Sequence, residues 1–149
     1  MNNMGKQEEY QIEIREISFF RASEEVADAE VIKLAEVISS LQTWISPIPV
    51  ERRTGIIMDG NHRWHAGMLL GLTHLPCLLL DYCDPRVRVY ERGQDKVFDV
   101  EAIFRTVMAG KVLKYKTTRH VFSPTLPRTD IGLSRLAGPT RGFAAVGAG

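Results

Sequence analysis

Apolar and polar positions alternate over 10–17 as Tyr-Gln-Ile-Glu-Ile-Arg-Glu-Ile, the period-two pattern of a half-covered strand. The pattern then changes period. Val31, Leu34, Ala35, Ile38 and Leu41 recur every three or four residues, which predicts an amphipathic helix over 29–42. Between them runs a short connector, Phe19-Phe20-Arg21-Ala22-Ser23-Glu24-Glu25, with Ser23 a candidate cap and Asp28 at the start of the helix proper. Pro47 and Pro49 mark an extended segment over 45–51, and Thr54-Gly55 turns the chain into a strand over 56–58.

Past Asp59 the helical period returns. Trp64, Met68, Leu69 and Leu70 form the apolar side of a second helix that stops at Gly71. Residues 75–82 are almost continuously apolar, as expected of a central strand covered on both faces. An exposed strand over 86–90, a helix over 100–108 closed by Gly110, and an extended run over 112–122 complete the order. The expected fold is α+β, a mixed sheet flanked by helices. One domain is expected over 10–136, between a flexible start at 1–9 and a loose, Gly- and Ala-rich tail at 137–149.

Composition narrows the function classes. At 149 residues the chain is long enough to bury a real core. A net charge of +1 gives no global electrostatic case for nucleic acid or an anionic membrane. No apolar stretch approaches the ~18 residues of a membrane helix. The start, Met1-Asn2-Asn3-Met4-Gly5-Lys6, has no apolar signal-peptide core, so a cytoplasmic protein is expected. Cys77 and Cys83 lack disulfide or zinc spacing and read as reduced core thiols.

The densest chemistry lies where the predicted strand over 56–58 turns into a helix: Asp59-Gly60-Asn61-His62-Arg63. A helix start offers unbonded N–H groups and the positive end of the dipole, an anion site. Gly60 lets a ligand approach the backbone, and His62 and Arg63 supply phosphate donors. Each residue also has a plainer reading. Asp59 fits a helix cap, Glu24 and Glu25 fit a first-turn pair that favours the dipole, and 114–120 fits a solvated strand face. His65 and His74 read as structural, and Tyr82 and Asp84 are weaker candidates for a pocket border.

The acidic connector, the following helix, the Pro47-Ile48-Pro49-Val50 strand and the Asp-Gly-Asn-His-Arg corner resemble the ParB/sulfiredoxin superfamily, over roughly residues 17–122. Within it the chain looks most like the free serine kinases, whose second basic segment Lys116-Thr117-Thr118-Arg119-His120 resembles. Sulfiredoxins need a cysteine where this chain has Asn61, and partitioning proteins carry Gly-Glu-Arg-Arg at the corner.

The resemblance implies a small-molecule kinase that moves a phosphoryl group from ATP or ADP to L-serine. Glu24 would accept the hydroxyl proton, and Asp59 would bind Mg²⁺ or position the hydroxyl. Gly60, Asn61, His62 and Arg63 would contact nucleotide phosphates. Lys116, Thr117, Thr118, Arg119 and His120 would hold the amino acid. The chain is short for this family, so part of the substrate lobe is missing or comes from a second subunit, and a homodimer stays open. A nucleotide-binding regulatory module and a ParB-like DNA-binding or nuclease protein are the alternatives; nucleic acid is not expected as a partner.

Overall fold

In a computed structural model, which describes residues 9–137, the central strand is β4 (His74–Leu80). Every β4 residue after His74 is buried, which accounts for its continuous apolar run. β1 (Ile12–Glu16) pairs with it antiparallel, Ile12 opposite Leu78, and β3 (Ile48–Glu51) pairs with it parallel, Ile48 opposite Cys77. The sheet is therefore mixed, in the order β1-β4-β3. Burial pushes the Cys77 thiol up to about 12, so it stays an inert core group. Cys83, expected in the core, is exposed because it lies in the turn beyond β4.

α1 (Asp28–Leu41) buries Val31, Ala35 and Ile38 and ends at Gln42 in the left-handed region. It packs on α2 (Asn61–Leu69). Ser23 is not its cap: Ala27 occupies that position, and the buried Ser23 hydroxyl donates to the Ile57 carbonyl at 2.6 Å. Met68 and Leu69 are exposed rather than core, since α2 turns Ala66, Gly67 and part of Trp64 inward. β2 (Thr43–Trp44) pairs antiparallel with β7 (Ile131–Gly132), and the single-turn α4 (Leu133–Leu136) buries Leu136 completely.

A second, smaller core lies between α3 (Val100–Met108) and the antiparallel ribbon of β5 (Val87–Glu91) and β6 (Thr118–Phe122). α3 has the predicted bounds, and Asp99 caps it by accepting from the Glu101 amide. Two predicted strands shrink. Residues 56–58 form only single bridges, Ile56 to Arg21 and Ile57 to Val50. The extended run over 112–122 keeps a strand only at β6, because Lys116 turns the chain with φ +59°.

The wedge at 56–58 positions the site. Gly55 adopts φ +75°, and a Cβ there would lie 1.9 Å from the Phe19 carbonyl oxygen, so only glycine fits. The turn brings the connector, the corner and the start of β6 together. The predicted flexible segments at 1–9 and 137–149, Glu9 and Ala137 apart, lie outside the described residues.

Candidate functional site

A cavity of about 350 Å³ opens where the connector, the corner and the start of β6 meet. Three carboxylates line it, Glu24, Glu30 and Asp59, and three cationic side chains face them, Arg92, Lys116 and Arg119. His62 and His120 also line it, with the uncharged polar side chains of Asn61, Tyr115 and Thr118. Charges of both signs thus line the cavity, which suits a ligand carrying charge of both signs.

The corner is built around Gly60, the residue before α2, with φ +104°. Its missing Cβ leaves room for the Arg63 guanidinium, which a methyl group would meet at 3.1 Å. Gly60 holds the cap position and no side chain among the described residues caps α2, so Asp59 is not the cap that its position suggested. The Asp59 carboxylate is instead 58% exposed, lines the cavity, and lies 3.7 Å from Arg63. The first turn of α2 accordingly keeps main-chain N–H groups that no side chain among the described residues satisfies.

The other corner side chains are engaged by the protein, although Asn61 and His62 also border the cavity. Asn61 is buried: Oδ1 accepts from the Ser23 amide at 2.8 Å and the Glu24 amide at 3.3 Å, and Nδ2 donates to the Ser23 hydroxyl at 3.1 Å. Arg63 lies outside the cavity lining and donates to the carbonyls of Ser46 and Pro47 at 2.9 and 3.1 Å. Burial pulls its guanidinium below the ordinary arginine value, and Asp59 opposes that pull. His62 accepts the Ala27 N–H on Nε2 at 3.1 Å, which places the ring proton on Nδ1. The same nitrogen lies 3.5 Å from a Glu30 carboxylate oxygen.

The basic segment divides the opposite way. Glu24 Oε2 accepts from the amides of Thr117 and Thr118 at 3.1 and 2.9 Å and from the Thr118 hydroxyl at 3.1 Å. Thr117 does not line the cavity; its hydroxyl donates to the Lys114 carbonyl. The Lys116 ammonium sits 5.2 Å from the Tyr115 ring centre and, among the described residues, forms no ion pair with a carboxylate. Arg119 donates to the Gln94 carbonyl at 3.3 Å and lies over Tyr90. His120 shares a 2.9 Å hydrogen bond with the Tyr82 hydroxyl. Burial drives its pKa down to about 4, against a pull upward from Asp59, so it is uncharged near neutrality.

Glu25 lies outside the cavity lining and accepts from the Tyr115 amide at 3.2 Å. Tyr82 lies behind His120 rather than in the cavity wall, and Asp84 is paired with Arg86 at 2.8 Å. Glu30, Arg92 and Tyr115 are wall residues that the sequence reading missed. Glu30 reads as the outer face of a helix, and no spacing links it to Tyr115, whose hydroxyl donates to it at 2.9 Å. Arg92 follows β5 in a turn, where an arginine carries no signal of its own. Among the described residues no three His, Cys, Asp or Glu side chains form a metal cluster. Mg²⁺ commonly takes one or two carboxylates and completes its shell with phosphate and water, so the exposed Asp59 carboxylate fits that ion.

No protein-family model matches the chain. A ParB-like protein of Sulfolobus acidocaldarius is 29% identical over 114 residues, 72% of this chain and 57% of that protein. An ATP-dependent L-serine kinase of Desulfurococcus mucosus is 36% identical over 70 residues, 44% of this chain and 28% of that protein. The chain thus matches little more than half of the first relative's length and less than a third of the second's. A free serine kinase solved in complex with AMP superposes with a TM-score of 0.77 at 16% identity, over 86% of this chain and 94% of that one. The expected ParB/sulfiredoxin-like fold is the fold observed. No helix among the described residues is long and apolar enough to cross a membrane.

Proposed function

We propose, on the premise that this chain shares the fold of the free serine kinases, that it is a small-molecule kinase. It transfers a phosphoryl group from ATP or ADP to the hydroxyl of a free amino acid, L-serine first among the candidates. One observation carries the reading. A carboxylate held by three donors, an exposed second carboxylate, and helix amides and an ammonium that have no carboxylate partner among the described residues all share one cavity. Phosphoryl transfer needs these groups: a proton acceptor, an anion cradle and cations for the moving charge.

In this reading the phosphate chain lies against the main-chain amides that open α2, with Lys116 and Arg92 on its oxygens. The acceptor hydroxyl faces Glu24. Its oxygen attacks the terminal phosphorus as its proton passes to the Glu24 carboxylate. The bond from phosphorus to the bridging oxygen breaks, and the nucleotide leaves as ADP from ATP or as AMP from ADP. Asp59 is the residue to hold Mg²⁺, which when bound would neutralise phosphate charge. Asn61 and Arg63 act through the fold: Asn61 fixes the connector, and Arg63 fixes the turn before β3. His120 is neutral, so it serves the acceptor as a hydrogen-bonding group and not as a cation. We also propose that residues 10–136 form the single catalytic domain and that the protein works in the cytoplasm, with a homodimer as the candidate assembly.

The test is phosphorus NMR of the purified protein with Mg²⁺, ATP or ADP, and a panel of hydroxy amino acids. A new phosphomonoester signal with L-serine supports the kinase. Nucleotide binding with no phosphomonoester from any acceptor supports a regulatory binding module instead.

A further inference from the structure

Glu24 uses its two carboxylate oxygens differently. Oε2 accepts three hydrogen bonds, from the amides of Thr117 and Thr118 and the hydroxyl of Thr118. Oε1 has no hydrogen-bond partner among the described residues, and Glu24 lines the cavity. A carboxylate tied at one oxygen can turn only about that oxygen, so its free oxygen has a narrow range of positions.

The cradle has two supports of its own. Lys116 precedes it with φ +59°, a left-handed conformation that a side-chain-bearing residue rarely adopts. That left-handed step lets the next two N–H groups converge on one oxygen, the geometry of a backbone anion nest. From the other side, the main chain of Glu24 is held as firmly. Asn61 accepts from the Ser23 and Glu24 amides, the Leu113 amide donates to Ser23, and the Glu25 amide donates to Leu113, both at 2.8 Å. Thr118 itself is only 6% exposed, and its hydroxyl points at a carboxylate of the protein.

We propose that Thr118 is a positioning residue: with the Thr117 and Thr118 amides it fixes Glu24 Oε2, so that Oε1 alone receives the acceptor proton. The assignment rests on the kinase reading and gives Thr118 a different task from binding the amino acid. It also gives the strained backbone of Lys116 a reason, since the turn that presents the ammonium also aims the two amides.

Steady-state kinetics with ATP or ADP and L-serine tests it, with nucleotide affinity measured by calorimetry. Thr118→Val and Thr118→Ala should each lower kcat about tenfold or more, while nucleotide Kd and the KM for serine stay within about twofold. Thr118→Ser keeps the hydroxyl and should restore kcat to within about threefold of the wild type. In a Glu24→Gln background, Thr118→Val should cause no further loss, because its effect passes through Glu24. Wild-type kcat in Thr118→Val and Thr118→Ala overturns the proposal. So does an equal loss in the Glu24→Gln background, or a matching rise in serine KM, which would make Thr118 a substrate ligand. An inactive wild type overturns the kinase reading and this assignment together; an active wild type with an unaffected Thr118→Val overturns this assignment alone.

Discussion

The corner at 59–63 and the segment at 116–120 face each other across one cavity, and they divide their labour in opposite ways. At the corner, the side chains of Asn61 and Arg63 are engaged by the protein, and the main-chain amides that open α2 are left for a ligand. In the segment, the main-chain amides of Thr117 and Thr118 are engaged by Glu24, and the side chain of Lys116 is left. The lesson is about polar clusters in general. A run of donors beside a binding site contains both ligands and the fastenings that hold the ligands in place, and residue type alone does not separate them.

Substitutions sharpen that division, the largest effect first. Asp59 is the corner side chain that lines the cavity without serving the fold, so Asp59→Asn should cost about a hundredfold in kcat/KM with little change in unfolding free energy. Asn61→Ala strips partners from the buried Ser23 amide, the part-buried Glu24 amide and the Ser23 hydroxyl. It should lower unfolding stability by about 2 to 3 kcal/mol in a urea titration, a loss too large for a residue that only binds phosphate. Arg63→Met removes two charge-assisted bonds to carbonyls and should cost about 2 kcal/mol of stability, with nucleotide Kd changed less than about threefold. A tenfold loss of nucleotide affinity with unchanged stability would place Arg63 among the ligands and break the comparison. Lys116→Ala should show the reverse pattern, about tenfold weaker nucleotide binding that fades at high salt, and normal stability.

Apart from the substitutions, the wall carries a dependence of stability on pH. His120 resists protonation in the folded protein, with a pKa near 4 against 6.5 for a free imidazole, and burial lowers His65 in the same direction. Below pH 6.5 the unfolded chain takes up protons that the folded chain refuses. Their contribution to stability is therefore full above pH 6.5 and declines as pH falls toward 4. Unfolding titrations at pH 7, 6 and 5 should show this decline, and His120→Asn should flatten it.

Much of this arrangement was legible in the sequence, and the gaps have physical causes. The β4 run and the 100–108 period were readable because burial on both faces, or on one helical face, dictates residue type at every position. Residues 56–58 look like a strand by composition, yet they are apolar because they wedge between the connector and β3 with one bridge on each side. Met68 and Leu69 fit the helical period but belong to the last turn of a short helix, beyond the sheet it covers. At the site, local sequence placed Glu24, Asp59 and Lys116 in the same cavity by resemblance. It did not reveal Glu30, Arg92 or Tyr115, since these reach the cavity only through pairings that span 85 residues or a turn after β5. Nor could it say which way Asn61 and Arg63 point, because that depends on Ser23 and the Ser46-Pro47 carbonyls, both distant in sequence.

The central claim is that this cavity turns over a nucleotide through Glu24 and does not merely bind one. The most direct measurement pairs calorimetric nucleotide titration with chromatographic detection of O-phosphoserine, for the wild type and Glu24→Gln side by side. Equal nucleotide affinity is expected for both, with product from the wild type and a loss of about 10² to 10⁴ in rate for the variant. Equal product formation by the two proteins, or no product from either despite nucleotide binding, would contradict it.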